Sequence, residues 1–541
     1  MIRAHKRVGR SRINMGRQRG HSYTMPAPVK GWNARDSLAA MKEDEASILD
    51  NWFPEQTYVR VRNGDADHTP ARVYLQTEAG DDIITEDSEK IVYTHGIDGD
   101  VESLMEWSGP AADKMFAAVN GEIQNVTTSG EPPVPDYQSL TNDRWQSVMF
   151  GNSAGNFLYM VNGADAPRYY DGTSFTIPTI TGTGLTATNL IHVNVFKRRV
   201  FFIENQKPWF WYFPVETVSG AIAKFDLAPL MRLGGALMAM GTWTIDGGQG
   251  PDDLAVFIST KGDAIVFQGT DPGDADNWSH VGTFTLAHPI GRRCVLQFGG
   301  ELVLLTEDGL VPLSMFLPTS RARKDKAMTD MISGAFGTAH DSYEDTFGWQ
   351  PIFHPDGDMI ILNVPQSGDN VQFVQNATTK AWCRFTGWDA FCFGIMDNEL
   401  YYGTTDAVRK GDTGNQDSGG NISGDVRTAF SYFRQPVQQK NLKLARPILE
   451  TDGTPSIVMS ANIDFELLEP TGTPTFTTGG GSEWDVAEWD VAAWAGEDSI
   501  KKDWQSIDGV GYAIALRFKT ASQGTLRWLA TDFIYERGGL V

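Results

Sequence analysis

The chain has 541 residues, 41% of them hydrophobic, with 16 Trp and 29 Phe alongside 56 Gly and 26 Pro, a composition that excludes disorder and predicts frequent chain reversals. Its 68 acidic residues outnumber 45 Lys and Arg, giving a formal charge of −23, which repels nucleic acid at long range and excludes a duplex-gripping protein. Cys294, Cys383 and Cys392 form no CxxC pair and exclude a disulfide framework, and no run reaches the roughly 18 apolar residues that span a bilayer.

At roughly 150 residues per domain, the length allows three or four domain-sized units. Residues 1–24 hold seven Lys and Arg and no acid, so the remainder carries −30, seven charges more than the whole. Residues 1–25, with Arg3, Arg7, Arg10 and Arg12, read as a flexible basic arm; a translation start at Met15 or Met25 is the alternative. No apolar stretch of the kind that marks a secretory signal follows the arm, which predicts a soluble protein made in a cytoplasm. Residues 26–110 read as an assembly module. Asp36 is placed to cap a helix over 38–41, a second helical piece over 43–51 stops before Pro54, and the alternating residues 58–62 form a strand ending at the Asn63-Gly64 turn.

Residues 111–415 are dominated by short apolar runs, among them 115–119, 157–161, 200–203, 254–258, 264–267, 302–306, 359–364, 371–374 and 400–402. Many end at hairpin signals: Asn120-Gly121, Asn162-Gly163, Asp171-Gly172, Lys261-Gly262, Asp308-Gly309 and Asp356-Gly357. Short strands with such punctuation, and no helical patterns between them, predict a mainly β fold, a β-propeller of several imperfect blades. Residues 169–175 and 381–385 resemble blade-edge strands. No strict repeat of the WD or kelch type is present, and a large Greek-key sandwich is the other arrangement the pattern allows. One helix is expected over 326–335, behind the basic cluster Arg321, Arg323 and Lys324. Residues 412–425 have linker composition. Residues 426–541 read as a C-terminal β-domain with strands near 428–433, 457–461, 513–518 and 526–536. Inside it, Trp484, Trp489 and Trp494 recur every five residues, a spacing that fits neither strand nor helix and suggests a loop wedging indoles into a groove or interface.

The chemistry sought in the chain is mostly missing. Gly151-Asn152-Ser153-Ala154-Gly155 matches GxSxG, but residues 156–163 read as a strand and turn where a nucleophile elbow needs a helix, so a plain hairpin is favoured over a serine esterase. Asp271, Asp274 and Asp276 offer oxygens to a cation, yet lack the Gly and Glu positions of an EF-hand, and turn punctuation explains them better. Propellers often host glycosidases, but among 68 acids some pair always meets the required separation, so the sequence neither supports nor removes that reading. His95, His192, His280, His288, His340 and His354 show no ligand spacing, and no phosphate loop is present. No catalytic residue, metal site or cofactor is predicted.

Gly31-Trp32-Asn33-Ala34-Arg35-Asp36, Asp50-Asn51-Trp52-Phe53-Pro54 and Val61-Arg62-Asn63-Gly64 resemble the opening of tail proteins from short-tailed bacteriophages. The segment 269–278, Gly291-Arg292-Arg293-Cys294 and Asp308-Gly309-Leu310 resemble the middle of the same proteins, and the Trp motif also fits. These are the tail nozzle, or tail tubular protein B, and packaged-DNA stabilisation group; the resemblance covers about residues 30–415.

The resemblance implies a virion structural protein without catalytic activity. It implies a homohexameric ring below the portal and adaptor, with propellers outside and double-stranded DNA passing along the axis without sequence recognition. Tail fibre, spike or tail-tip proteins are its further expected partners, with the host envelope as another contact, and synthesis is in the bacterial host cytoplasm. Ring closure needs heterologous contacts. Arg3, Arg7, Arg10, Arg12, Trp32, Trp52, Arg321, Arg323, Lys324, Trp484, Trp489 and Trp494 are the candidates for them. A receptor-binding or glycan-degrading propeller of the phage tail is the alternative.

Overall fold

The computed structural model describes residues 20–75, 77, 83–85, 92–94, 96–130, 135–246, 251–316, 326–477 and 498–538. Strand makes up 51% of it and helix 5%, as a mainly β chain requires. The strands build a propeller and a β-sandwich that share one sheet.

Six small antiparallel sheets stand as separate blades. In chain order their innermost strands are Ser103–Trp107, Gln146–Asn152, Leu190–Phe196, Leu237–Asp246, Val295–Phe298 and Cys392–Met396. Between the last two, Gln350–His354, Met359–Val364, Val371–Asn376 and Trp382–Phe385 form a seventh four-stranded segment. Each innermost strand touches the next, and the Cys392–Met396 strand returns to Ser103–Trp107, closing the ring. Strands such as Glu301–Thr306 and Met359–Val364 are buried almost throughout because each blade is covered on both faces by its neighbours. That is why they read as continuous apolar runs.

The ring is latched by the N-terminal part of the chain. Asp65–Asp67 pairs with Ala407–Gly411 as the outermost strand of the last blade, so residues on either side of the propeller sequence complete one sheet.

The seventh segment does not end at its outer edge. Trp382–Phe385 pairs in parallel with Ala46–Asp50, which pairs with Ile422–Thr428, then Ile514–Ser522 and Val458–Ile463. The second sandwich sheet joins Trp52–Pro54, Val59–Val61, Leu526–Arg537 and Lys440–Thr451, with His21–Pro26 along Leu526–Arg537. The two long strands alternate buried and half-exposed residues, interrupted by bulges near Leu442 and Ile448, as a sheet with one covered face demands. Trp52, Phe518 and Trp528 fill the space between the sheets; the last two rings meet edge to face at 4.7 Å.

Several expectations are corrected. Residues 38–40 form a turn and Ala46–Asp50 a strand, because so short a segment takes the form its neighbours impose and here both edges are paired. Asp36 caps no helix; its amide and carboxylate close a turn on Asn33. The α-helix is Ser333–Tyr343, preceded by a 3-10 turn at Asp330–Ile332. The strand expected over 428–433 ends at Thr428; Ser431 makes an isolated bridge to Ile514, and the chain turns at Phe433 and Arg434, which have positive φ. Residues 422–425 of the expected linker are strand. Residues 26–110 contribute strands to the sandwich, to the shared sheet and to the first and last blades.

Candidate functional site

Two regions gather the residues that the sequence singled out. The first is the joint where the shared sheet leaves the propeller. Gly31 has φ +82°, and its backbone lies so close to Trp382 that a Cβ would stand 2.4 Å from the Trp382 carbonyl oxygen, leaving only glycine suitable. Trp32 donates its amide to that carbonyl at 2.6 Å and sets its ring edge-on to Phe373 at 5.2 Å. Asp50 holds Arg384 in a two-point pair at 2.8 and 2.5 Å. Asn51, in the left-handed region at φ 60°, accepts from Thr386 N and donates to Ser423 O.

Arg62 lies at the centre of this joint, buried to 1% exposure. Its Nε donates to Asn51 Oδ1, its Nη1 to Asn63 O and Asp417 Oδ1, and its Nη2 to Thr386 O and Asp417 Oδ2, over 2.6–2.9 Å. All five N–H groups of the guanidinium are thereby used, and its plane lies 4.9 Å from the Trp388 ring. Gly64 continues the joint: a Cβ there would stand 1.8 Å from Gln416 O. Thus the 412–421 stretch, linker-like in composition, is pinned by the N-terminal segment.

The second region is the propeller axis. A cavity of about 200 Å³ is walled by Leu104, Gln146, His192, Val295, Gln350 and Phe393 from six of the seven ring positions, with Arg292 and Arg293. A second cavity of about 360 Å³ adjoins it, sharing Gln146, Arg292 and Arg293 and roofed by residues 344–349. Phe347 lies under both Arg144 and Arg293, at 4.3 and 5.1 Å. Burial draws the His192 pKa down to about 4, so the imidazole is neutral near pH 7. No carboxylate lies among the described residues lining the inner cavity.

Away from the axis, a cleft of about 340 Å³ is lined by the carboxylates Glu55, Asp356, Asp358 and Asp412 together with Arg60. Ser153 and Ala154 are the two-residue loop of the hairpin joining Gln146–Asn152 to Gly155–Val161; no helix follows, so GxSxG here is a turn. Asp271 pairs with Arg199 at 2.6 Å, while Asp274 closes a turn on Asp276 N and Asn277. No group of three metal-ligating side chains occurs among the described residues. Burial raises all three thiols, Cys294 to about 12 and Cys392 to about 11, leaving them little thiolate.

Of the candidate interface residues, Trp52 is fully buried inside this chain and Trp32 nearly so. Both act here as core indoles. Arg3, Arg7, Arg10, Arg12, Arg321, Arg323, Lys324, Trp484, Trp489 and Trp494 lie outside the described residues. The axial position of Arg292 and Arg293 was not foreseen. Their one signal was adjacency at a turn between two apolar runs, which does not say that both face an axis.

No family model and no curated protein matches the chain. Among solved structures it is similar to YCF48 from Cyanidioschyzon merolae, at 9% identity over 57% of this chain and 96% of that one, with a TM-score of 0.26. It is also similar to BBS1N in complex with ARL6DN, at 9% identity, 47% and 73% coverage and a TM-score of 0.28. A third is a glycoside hydrolase family 43 arabinoxylan arabinofuranohydrolase from Bacillus subtilis, at 9% identity, 86% and 96% coverage and a TM-score of 0.26. At such scores the propeller assignment rests on the strand order and the closed ring of innermost strands.

Proposed function

We propose that the chain is a structural ring subunit of the tail-nozzle kind, which retains and conducts double-stranded DNA in a virion tail and catalyses nothing. The observation that carries the reading is the joint. The opening motifs of the resemblance, Gly31-Trp32, Asp50-Asn51 and Arg62 to Gly64, meet around the shared sheet and lock propeller to sandwich. A rigid two-part block is what a ring subunit under load requires. The net charge of −23 adds to this, since each Lys or Arg contact to phosphate strengthens sequence-independent grip and would slow a passing duplex. The propeller cavity of about 200 Å³ is far too small for DNA, so the duplex travels along the axis between subunits.

The rival reading, a glycan-degrading propeller, asks for two carboxylates about 5–9 Å apart at a common cleft. The inner axial wall offers Arg292, Arg293 and His192 instead; the cleft that does gather carboxylates, Glu55, Asp356, Asp358 and Asp412, lies apart from it, and substitutions there are the ones to try. Negative-stain imaging of the purified protein tests the proposal: closed rings with a central hole are expected, and a monomer that never joins a portal–adaptor complex overturns it. In parallel, no reducing ends should appear from host polysaccharide. Their release, abolished by a single Asp or Glu substitution, would make the rival the better account.

A further inference from the structure

We propose that the axial cavity of the propeller binds a small oxyanion of the phosphate class, held by Arg292 and Arg293. This inference stands independently of the nozzle reading, because it needs only the blades.

The first ground is uncompensated charge. Arg292 Nη1 donates to Asn162 O at 3.2 Å. Arg293 Nη2 donates to Glu102 O and Ser103 Oγ, both at 2.8 Å, and to Trp145 O at 3.3 Å. Among the described residues neither guanidinium pairs with a carboxylate, and Arg293 Nη1 is buried with no hydrogen-bond partner. Guanidinium groups stay charged in proteins, and an unanswered buried cation is costly. A third cation, Arg144, is answered by Glu102 at 2.9 Å. Burial pulls both Arg292 and Arg293 toward the neutral form; the nearby Arg144 adds to it at Arg292, whereas at Arg293 Cys392 and Glu102 partly offset the burial. An anion between them would reverse that.

The second ground is shape and chemistry. A volume of about 200 Å³ is an order of magnitude above the roughly 10–15 Å³ needed to hold one water, so a tetrahedral oxyanion fits. Gln146 lines the wall beside the two arginines, and Gln350, whose Nε2 donates to Phe393 O at 3.1 Å, keeps one further amide N–H. His192 lines the wall as a neutral ring whose Nε2 donates to Met240 O at 3.0 Å. The acids facing the outer cavity, Glu344 and Asp345, are exposed at its rim, and Glu344 is engaged by His340 at 3.1 Å. Their repulsion is screened by water and salt, whereas the inner wall faces the ligand without a carboxylate.

The test titrates the full chain with inorganic phosphate against sodium chloride at matched ionic strength, reading thermal unfolding and binding heat. Phosphate should raise the unfolding midpoint above the chloride control, and Arg292→Gln and Arg293→Gln should each weaken phosphate binding at least about tenfold, the worth of one charge-assisted contact. Arg293 also holds Glu102, Ser103 and Trp145, so Arg292→Gln, whose group among the described residues bonds only to Asn162 O, is the deciding variant. No phosphate effect beyond chloride in the unaltered protein, or the same effect in Arg292→Gln, overturns the proposal.

Discussion

Replacing Arg62 with Leu removes the cation at the centre of the joint while keeping a side chain to fill part of the space. Five hydrogen bonds vanish together. Asp417 loses its partner with a side chain only 20% exposed, so water restores little of what the guanidinium supplied. Removing one member of a buried ion pair costs about 3–5 kcal/mol, and the lost contact with Trp388 at 4.9 Å adds about 1 kcal/mol. The partial exposure of Asp417 pulls the total back toward the middle of that range, about 4 kcal/mol. Urea denaturation of the unaltered chain, Arg62→Leu, Asp417→Asn and the double variant reads both the loss, from the midpoint at constant slope, and the coupling between the two positions. Arg62→Leu should fall by about 4 kcal/mol, and the cycle should show at least about 1 kcal/mol of coupling. A loss under about 1 kcal/mol, or strict additivity, would refute the claim that this pair clamps the joint.

Three further outcomes follow from the geometry. Gly31→Ala should cost at least about 2 kcal/mol, because a Cβ meets Trp382 backbone in addition to the unfavourable φ; Gly184→Ala, with φ +85° but open space around it, should cost about 1 kcal/mol. Equal losses at the two sites in thermal unfolding would deny the close approach. His192 has its pKa lowered from 6.5 to about 4 by burial, so the unfolded chain binds the extra proton first. Stability is therefore unaffected above about pH 6.5 and falls as pH drops toward 4, by on the order of 3 kcal/mol in all; a His192→Gln variant with an unchanged slope across that window would contradict this. Ser153→Ala, in an exposed hairpin loop, should change stability by less than about 0.5 kcal/mol, and a serine-directed phosphonate should label neither form.

The blades were legible because their strands are covered on both faces. Met359–Val364 is apolar almost without break, and its bounds follow from that alone. Asn120-Gly121 also declared its turn, with φ of 48° and 76° joining two paired strands. Lys197-Arg198 and Asp397-Asn398 make the same kind of two-residue turn with positive φ and no glycine; their form is imposed by the strands they join, so composition does not reveal them. The latch strand Asp65–Asp67 has two acids in three residues, which oppose strand formation, and it exists because Ala407–Gly411 offers an open edge. Ala46–Asp50 looks helical in sequence for the complementary reason: its strand character comes from partners more than 300 residues away. At the axis, Arg292 and Arg293 were visible as residues, but not as neighbours of His192, because only ring closure brings the third and fifth blades to one cavity.

The most direct test of the central claim is an electron cryomicroscopy map of the assembled particle with this chain located in it. The account predicts six copies, about 358 kDa from subunits of 59.6 kDa, closed around the tail axis beneath the adaptor, with density for the propellers outside and a continuous DNA path inside. Copies found only as peripheral spikes away from the axis, or absent from the particle, would contradict it.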